Sequence, residues 1–233
     1  MTNVNTLEIA KFNAHADWWD LEGSYRPLHL LNPVRLAFIE QFVALKNQKV
    51  IDIGCGGGIL TESLAHAGAI CTGLDLGSDT LCVAKAHALD QQLNIDYQLI
   101  AAETFAKMHP ASYDIVVCYE LLEHVPDPAA IITACAQLVK PGGWVFLSTL
   151  NRTAKAYLHA IIGAEYVLNL LPKGTHDYRA FLKPSELLRV ARHEHLSLKK
   201  LAGIAYSLTQ KTFHLSATVD VNYLVALQKN YAS

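Results

Sequence analysis

The chain lacks any C-x-x-C pair. Its five cysteines, at 55, 71, 82, 118 and 135, are scattered, most of them in apolar runs. They read as reduced core thiols in a cytosolic protein. Charge of one sign is lacking too: the formal net charge is −2 over 233 residues, so nucleic acid is not an expected partner. No uninterrupted apolar run reaches the ~18–20 residues of a membrane-spanning helix. Residues 1–10 are polar with Glu8 as their only charge, so a cleavable signal is not expected. Repeats and low-complexity linkers are missing as well. The length suits one well-buried domain spanning 1–233. An N-terminal helical extension is expected at 1–46 and an apolar helical insertion at 152–180.

What is present is organised around Lys49-Val50-Ile51-Asp52-Ile53-Gly54-Cys55-Gly56-Gly57-Gly58-Ile59. An apolar run ends in glycines and a helical pattern follows, which predicts a buried strand, a tight turn and a helix N-terminus. A second apolar run, 69–74, ends in Asp75, a carboxylate placed to accept from two ribose hydroxyls. Together these make a nucleoside-binding half of an open α/β sheet. The dinucleotide pattern G-x-G-x-x-G would need glycine at 59, where isoleucine stands. That argues against a dinucleotide oxidoreductase. The stretch instead fits the E/D-x-G-x-G-x-G signature of S-adenosylmethionine-dependent methyltransferases, as Asp52-Ile53-Gly54-Cys55-Gly56-Gly57-Gly58.

Helices and strands alternate downstream. Strands are expected at 69–75, 95–100, 113–119 and 144–149, with helices near 59–67, 78–91, 103–108 and 128–139. Lys140-Pro141-Gly142-Gly143 predicts a sharp turn. Two strand-like runs, 197–206 and 219–227, close the chain. The expected fold is a Rossmann-like α/β domain with a mostly parallel seven-stranded sheet, one antiparallel strand and helices on both faces. Upstream, residues 7–21 read as a helix through Ile9, Phe12, Ala16 and Trp19. The Trp18-Trp19 pair would pack on the domain or form a lid. Asn32-Pro33 reads as an N-cap and first turn, starting a helix that carries Arg35. Spacing alone does not decide whether Arg35 meets a cofactor carboxylate or water. Glu103 could rim an adenosine site, though a solvated glutamate at a helix start is the plainer reading.

Glu120, Glu123 and His124 leave the C-terminal end of the fourth strand, where ligands sit in such sheets. If residues 120–124 form one helical turn, the three side chains converge. They would then suit a divalent cation; alternatively His124 alone is a general base, or the turn is structural. His176 reads as a loop histidine, and His193 and His195 as solvated. Residues 155–173 read as an apolar helical stretch cut by Pro172, which leaves Lys173 to the following turn; on a helical wheel His159, Glu165, Asn169 and Lys173 share one narrow stripe, the rest being apolar. Such a helix lies in a core, a dimer contact or a membrane interface.

These residues resemble the bacterial ubiquinone-biosynthesis O-methyltransferases over nearly the whole chain. The particular stretches are Trp18-Trp19-Asp20, Pro172-Lys173-Gly174-Thr175-His176-Asp177 and Asp220-Val221-Asn222-Tyr223. The glycine loop and Leu122-Glu123-His124-Val125-Pro126-Asp127-Pro128 are shared with many methyltransferases. The resemblance implies O-methylation of polyprenylated rings, namely 2-polyprenyl-6-hydroxyphenol and 3-demethylubiquinol. It implies S-adenosylmethionine contacts at Arg35, Gly54, Asp75 and the position of Tyr119, the last commonly methionine in the family and so a backbone contact here; Gly56, of the glycine signature, is a further expected contact. It also implies Mg²⁺ at Glu120, Glu123 and His124, as described for eukaryotic relatives. Membrane contact is expected through Tyr157, Leu158, Ile161, Ile162 and Leu168. The expected location is cytoplasmic, reversibly associated with the inner membrane and its lipid surface, beside other ubiquinone-biosynthesis proteins. A methyltransferase of another small aromatic acceptor, or a non-enzymatic cofactor-binding scaffold, are the competing readings.

Overall fold

The computed structural model describes residues 3–13, 17–157, 178–207, 209–210 and 212–231. The expected membrane contacts Leu158, Ile161, Ile162 and Leu168, the polar stripe and His176 lie outside the described residues.

Apolar runs become strands where both faces are covered. In β1 (Lys49–Ile53), Val50 packs toward one face of the sheet, and Ile51 and Ile53 toward the other. In β4 (Tyr113–Tyr119), Ile115 and Val117 join the first face, and Val116 and Cys118 the second. This period-two division is what a strand buried on both sides requires. The first face is closed by α2 (Arg26–Glu40) and α3 (Ile59–His66), with Phe38, Ile39 and Leu64 fully buried. The second is closed by α5 (Ala102–Met108), α6 (Pro128–Leu138) and α8 (Pro184–His193), through Phe105, Leu138 and Leu187. Further elements are α1 (Thr6–Asn13), α4 (Ser78–Asp90) and α7 (Ala154–Ala156).

The remaining strands are β2 (Ile70–Asp75), β3 (Asp96–Leu99), β5 (Val139–Leu150), β6 (Leu196–Ser207), β7 (Thr212–Ser216) and β8 (Asn222–Lys229). The order is β3-β2-β1-β4-β5-β8-β6-β7. Strands β1 to β5 are mutually parallel; β8 runs antiparallel to both β5 and β6, and β7 antiparallel to β6. The sheet therefore has eight strands with two antiparallel members, one more of each than the sequence suggests. The extra strand is β7, a short edge strand whose residues are all partly exposed, so it gives no apolar run to read.

The helix expected over 7–21 is not continuous: α1 covers Thr6–Asn13, and residues 17–21, with Trp18 and Trp19, lie in turns where the indoles pack on the glycine loop. Two further boundaries differ from expectation. Residues 140–143 are not a turn ahead of β5 but an irregularity inside it, between the pairings Tyr113↔Val139 and Ile115↔Trp144, with Gly142 at φ 78°. Helix α2 begins at Arg26 with Pro27 in its first turn, and Pro33 lies inside it. Asn32 caps nothing: its amide donates to Ile59 O (3.2 Å) and Ser63 Oγ (2.7 Å), tying α2 to α3. Four cysteines are buried and unpaired as expected; Cys82 is exposed.

Candidate active site

The switch in strand order between β1 and β4 opens a crevice at the carboxyl ends of the strands. The glycine loop after β1 is held there by the next strand, because Gly54 N–H (2.8 Å) and Cys55 N–H (3.0 Å) both donate to Leu74 O. Gly56 and Gly58 take φ values of 54° and 88°, a region that costs residues with a side chain. Asp75, at the tip of β2, accepts from Gly56 N–H (2.9 Å) at Oδ2 and from Gly77 N–H (2.8 Å) at Oδ1. Burial raises its pKa, against the lowering effect of those amides. Each oxygen keeps acceptor capacity for a further donor.

Arg35 comes from α2 and is 5 % exposed. Its Nη2 stands 3.2 Å from Glu120 Oε1 as an ion pair out of line for a hydrogen bond, and its guanidinium lies 5.8 Å from the centre of the Tyr119 ring. Arg35 Nε and Nη2, and the Tyr119 hydroxyl, are buried without a hydrogen-bond partner among the described residues. Asp52, at the end of β1, accepts from Thr61 Oγ1 (2.6 Å); burial pushes its pKa up to about 6, while the Thr61 bond and Arg35 pull the other way.

These groups line one cavity of about 410 Å³, which also reaches Trp18, Tyr25, Glu103 and His124. The volume lies within the usual range of small-molecule sites. The residues fit an amino-acid-bearing nucleoside. Asp75 offers acceptors for ribose, while the buried Arg35 donors suit a carboxylate. Glu103 lines the cavity and accepts from Asn3 Nδ2 at 2.8 Å, so it belongs to the rim.

The tryptophan pair packs onto the glycine loop. A Cβ at Gly56 would lie 2.5 Å from the Trp18 ring, so the loop's bareness makes room for the indole. Trp18 stacks on Tyr25 at 3.7 Å; Trp19 stacks on His87 at 3.5 Å and donates from Nε1 to Gly57 O.

The turn after β4 departs from the expected helical one. Glu120 has φ 53°, and residues 120–124 form no α-helix. The three side chains have separate partners. Glu120 faces Arg35 and accepts from Ser148 Oγ (2.8 Å); Glu123 accepts from Thr149 Oγ1 (2.7 Å); His124 Nδ1 donates to Glu8 Oε2 (2.8 Å). Among the described residues no group of three His, Cys, Asp or Glu is arranged to hold a metal ion. The donor set fits Mg²⁺ poorly: the Arg35 cation already faces Glu120. Burial and the Glu120 charge raise the Glu123 pKa to about 7. Burial alone would lower the His124 pKa, but the Glu8 hydrogen bond and the charges of Glu123, Glu8 and Glu120 outweigh it and leave it raised.

A second cavity of about 730 Å³ shares Glu8, Glu123 and His124 with the first and continues to Arg152 and Arg179. His124 thus stands where the two meet. Sequence reasoning missed Glu8, Asn3, Ser148 and Thr149. Nothing local marks them, since Glu8 and His124 are 116 positions apart.

Residues 51–147 match the model of the methyltransferase domain family. The chain is 51 % identical over 230 residues to the ubiquinone biosynthesis O-methyltransferase of Thiobacillus denitrificans, covering 98 % of this chain and 99 % of the relative. It is 54 % identical to the protein of the same name from Stutzerimonas stutzeri, with the same coverage. Among solved structures, magnesium protoporphyrin IX methyltransferase from Synechocystis with bound S-adenosylmethionine superposes with a TM-score of 0.67 at 18 % identity, over 98 % of this chain and 100 % of that one. The PH0226 protein of Pyrococcus horikoshii does so with a TM-score of 0.69 at 13 % identity, over 95 % and 99 %. Those two likenesses concern the fold. With full-length identity above one half, the chain belongs to the ubiquinone biosynthesis O-methyltransferase family.

Proposed function

We propose that the chain transfers a methyl group from S-adenosylmethionine to a ring hydroxyl of polyprenylated phenols and quinols, 2-polyprenyl-6-hydroxyphenol and 3-demethylubiquinol. The observation that carries it is the single cavity holding Asp75, the glycine loop and the unpartnered donors of Arg35. When bound, the cofactor supplies an already activated methyl group. The chain's part is to bind, orient and deprotonate. Asp75 takes the ribose hydroxyls, and Gly54 and Gly56 let the backbone approach. Arg35 takes the carboxylate, and Tyr119 walls the site. The acceptor enters from the side of the second cavity and meets His124. A phenol has a pKa of ~10, so little phenolate exists at neutral pH and a base contributes ~10²–10⁴-fold. His124 takes the hydroxyl proton as the oxygen–carbon bond forms. Mass spectrometry of quinone intermediates in cells lacking the protein tests the reading: accumulation of both hydroxylated precursors supports it, and an unchanged quinone profile defeats it.

The polyprenyl tail places the substrate in a bilayer. Among the described residues no helix is long and apolar enough to cross a membrane. The reading is surface docking on the inner membrane through the apolar segment that begins at Tyr157, which is 44 % exposed. Lys155, at its start, pairs with Asp220 at 3.1 Å. Replacing Ile162 and Leu168 with glutamate should abolish liposome co-sedimentation; undiminished sedimentation of the folded double mutant would remove the docking role.

A further inference from the structure

Helix α1 is placed by its own polar residues. Asn5 caps it, its Oδ1 accepting from Leu7 N–H (3.2 Å) and Glu8 N–H (3.4 Å). Two residues earlier, Asn3 makes three bonds across the site mouth. Its Nδ2 donates to Glu103 Oε1 (2.8 Å) and Asp127 O (2.9 Å), and its Oδ1 accepts from Asp127 N–H (2.7 Å). The amide thus latches the N-terminal segment onto both the α5 end and the loop before α6. Held this way, α1 points Glu8 into the site. Its Oε2 lies 2.8 Å from His124 Nδ1, with both side chains mostly buried at 16 % and 11 % exposure.

We propose that Glu8 is the positioning residue of the methyl transfer: its carboxylate holds His124 in the Nδ1–H tautomer, and Asn3 is the latch that keeps it there. A carboxylate oxygen can only accept, so Nδ1 carries the proton and the ring lone pair lies on Nε2. In the step, the acceptor O–H breaks and Nε2–H forms, while the methyl carbon leaves sulfur for the acceptor oxygen. The imidazolium so formed stays hydrogen-bonded to the Glu8 carboxylate, which balances its charge. No oxidant or further reactant is needed. The inference rests on His124 being the base.

The test is steady-state kinetics with a short-chain demethylubiquinol, calorimetry with S-adenosylmethionine, and ¹⁵N spectra of the His124 ring. Glu8→Ala should lower kcat roughly 10–100-fold, less than the ~10²–10⁴ a whole general base contributes, while KM and cofactor affinity change less than about twofold. Glu8→Gln, whose amide oxygen can still accept from Nδ1–H, should recover part of the rate and keep the tautomer; it serves too where the alanine variant folds badly. Glu8→Ala in a His124→Gln background should cost nothing more. Asn3→Ala should lower kcat in the same direction by less. Parental turnover in Glu8→Ala with His124→Gln inactive would overturn the dyad and leave the base standing. Parental turnover in His124→Gln would overturn the base itself. A fall in rate matched by an equal fall in cofactor affinity, with the ring spectrum unchanged, would reduce α1 to a structural strap and overturn the proposal.

Discussion

The Gly56 N–H donates to Asp75 Oδ2 over 2.9 Å, so the tip of β2 and the glycine loop are one unit before any ligand arrives. A carboxylate fixed this way offers its remaining lone pairs in a set direction, and little is left to order on binding.

Asp75→Ala should therefore weaken S-adenosylmethionine binding by one to two decades. Losing a hydrogen bond to a charged group costs ~1.5–3 kcal/mol, and a decade is ~1.4 kcal/mol. Titration calorimetry on the folded variant checks this; unchanged affinity would remove Asp75 from the cofactor site.

Gly58 starts α3 with φ 88°, and a Cβ there would come within 2.3 Å of the Tyr97 hydroxyl, on a ring that is itself buried. Both a left-handed backbone penalty, ~1–2 kcal/mol, and an overlap act on Gly58→Ala. The expected loss is roughly 1–3 kcal/mol, about 2–12 °C in Tm at 2–4 °C per kcal/mol for a chain this size. Adding Tyr97→Phe should return the overlap part alone. A melting temperature equal to the parent's would contradict the assigned loop conformation.

Asp52 gives a pH dependence with a definite sign. Burial raises its folded pKa from 3.8 to about 6, so between those values the folded state binds more protons than the unfolded one. Stability from this group then falls as pH rises through the window, and the loss is complete above it. Asp52→Asn removes the titration while its side-chain oxygen can still accept from Thr61. The difference in unfolding free energy between parent and variant should shift by on the order of 2–3 kcal/mol from pH 4 to pH 7, in favour of the variant at the higher pH. Parallel pH profiles by urea denaturation would exclude a raised Asp52.

The placement of the glycine-loop half of the candidate site was legible because its signals are local. Asp52, the glycines and Asp75 all lie at the ends of two apolar runs, and strand alternation fixed their common edge. The placement of the turn after β4 was not. A glutamate at φ 53° leaves no trace in composition, so Glu120 was expected to open a helix it does not form. The partners that redirect the three side chains come from far along the chain: Arg35 from α2, Thr149 from β5 and Glu8 from α1. The start of α2 was misplaced because Asn32-Pro33 has the chemistry of a cap, while the Asn32 amide instead bonds α3.

Those three partners decide what a chelator should do. For Glu120, Glu123 and His124 to bind one cation, Glu120 would have to accept a second positive charge beside Arg35, 3.2 Å away. Glu123 would have to ionise against burial, with a pKa near 7. His124, whose Nδ1 is engaged by Glu8, would have to turn its other nitrogen to the metal. Each change carries a cost and none is compensated by the neighbouring groups. Incubation with EDTA should therefore leave turnover within about twofold of the untreated enzyme, since no ~10²-fold base or Lewis-acid contribution is withdrawn. His124→Gln should remove most turnover in the presence or absence of added Mg²⁺, with cofactor affinity retained. The decisive measurement is kcat before chelation, after it, and after Mg²⁺ is returned. A loss that Mg²⁺ restores would show that the turn rearranges around a cation when substrate binds, and His124 would then act as its ligand rather than as the base.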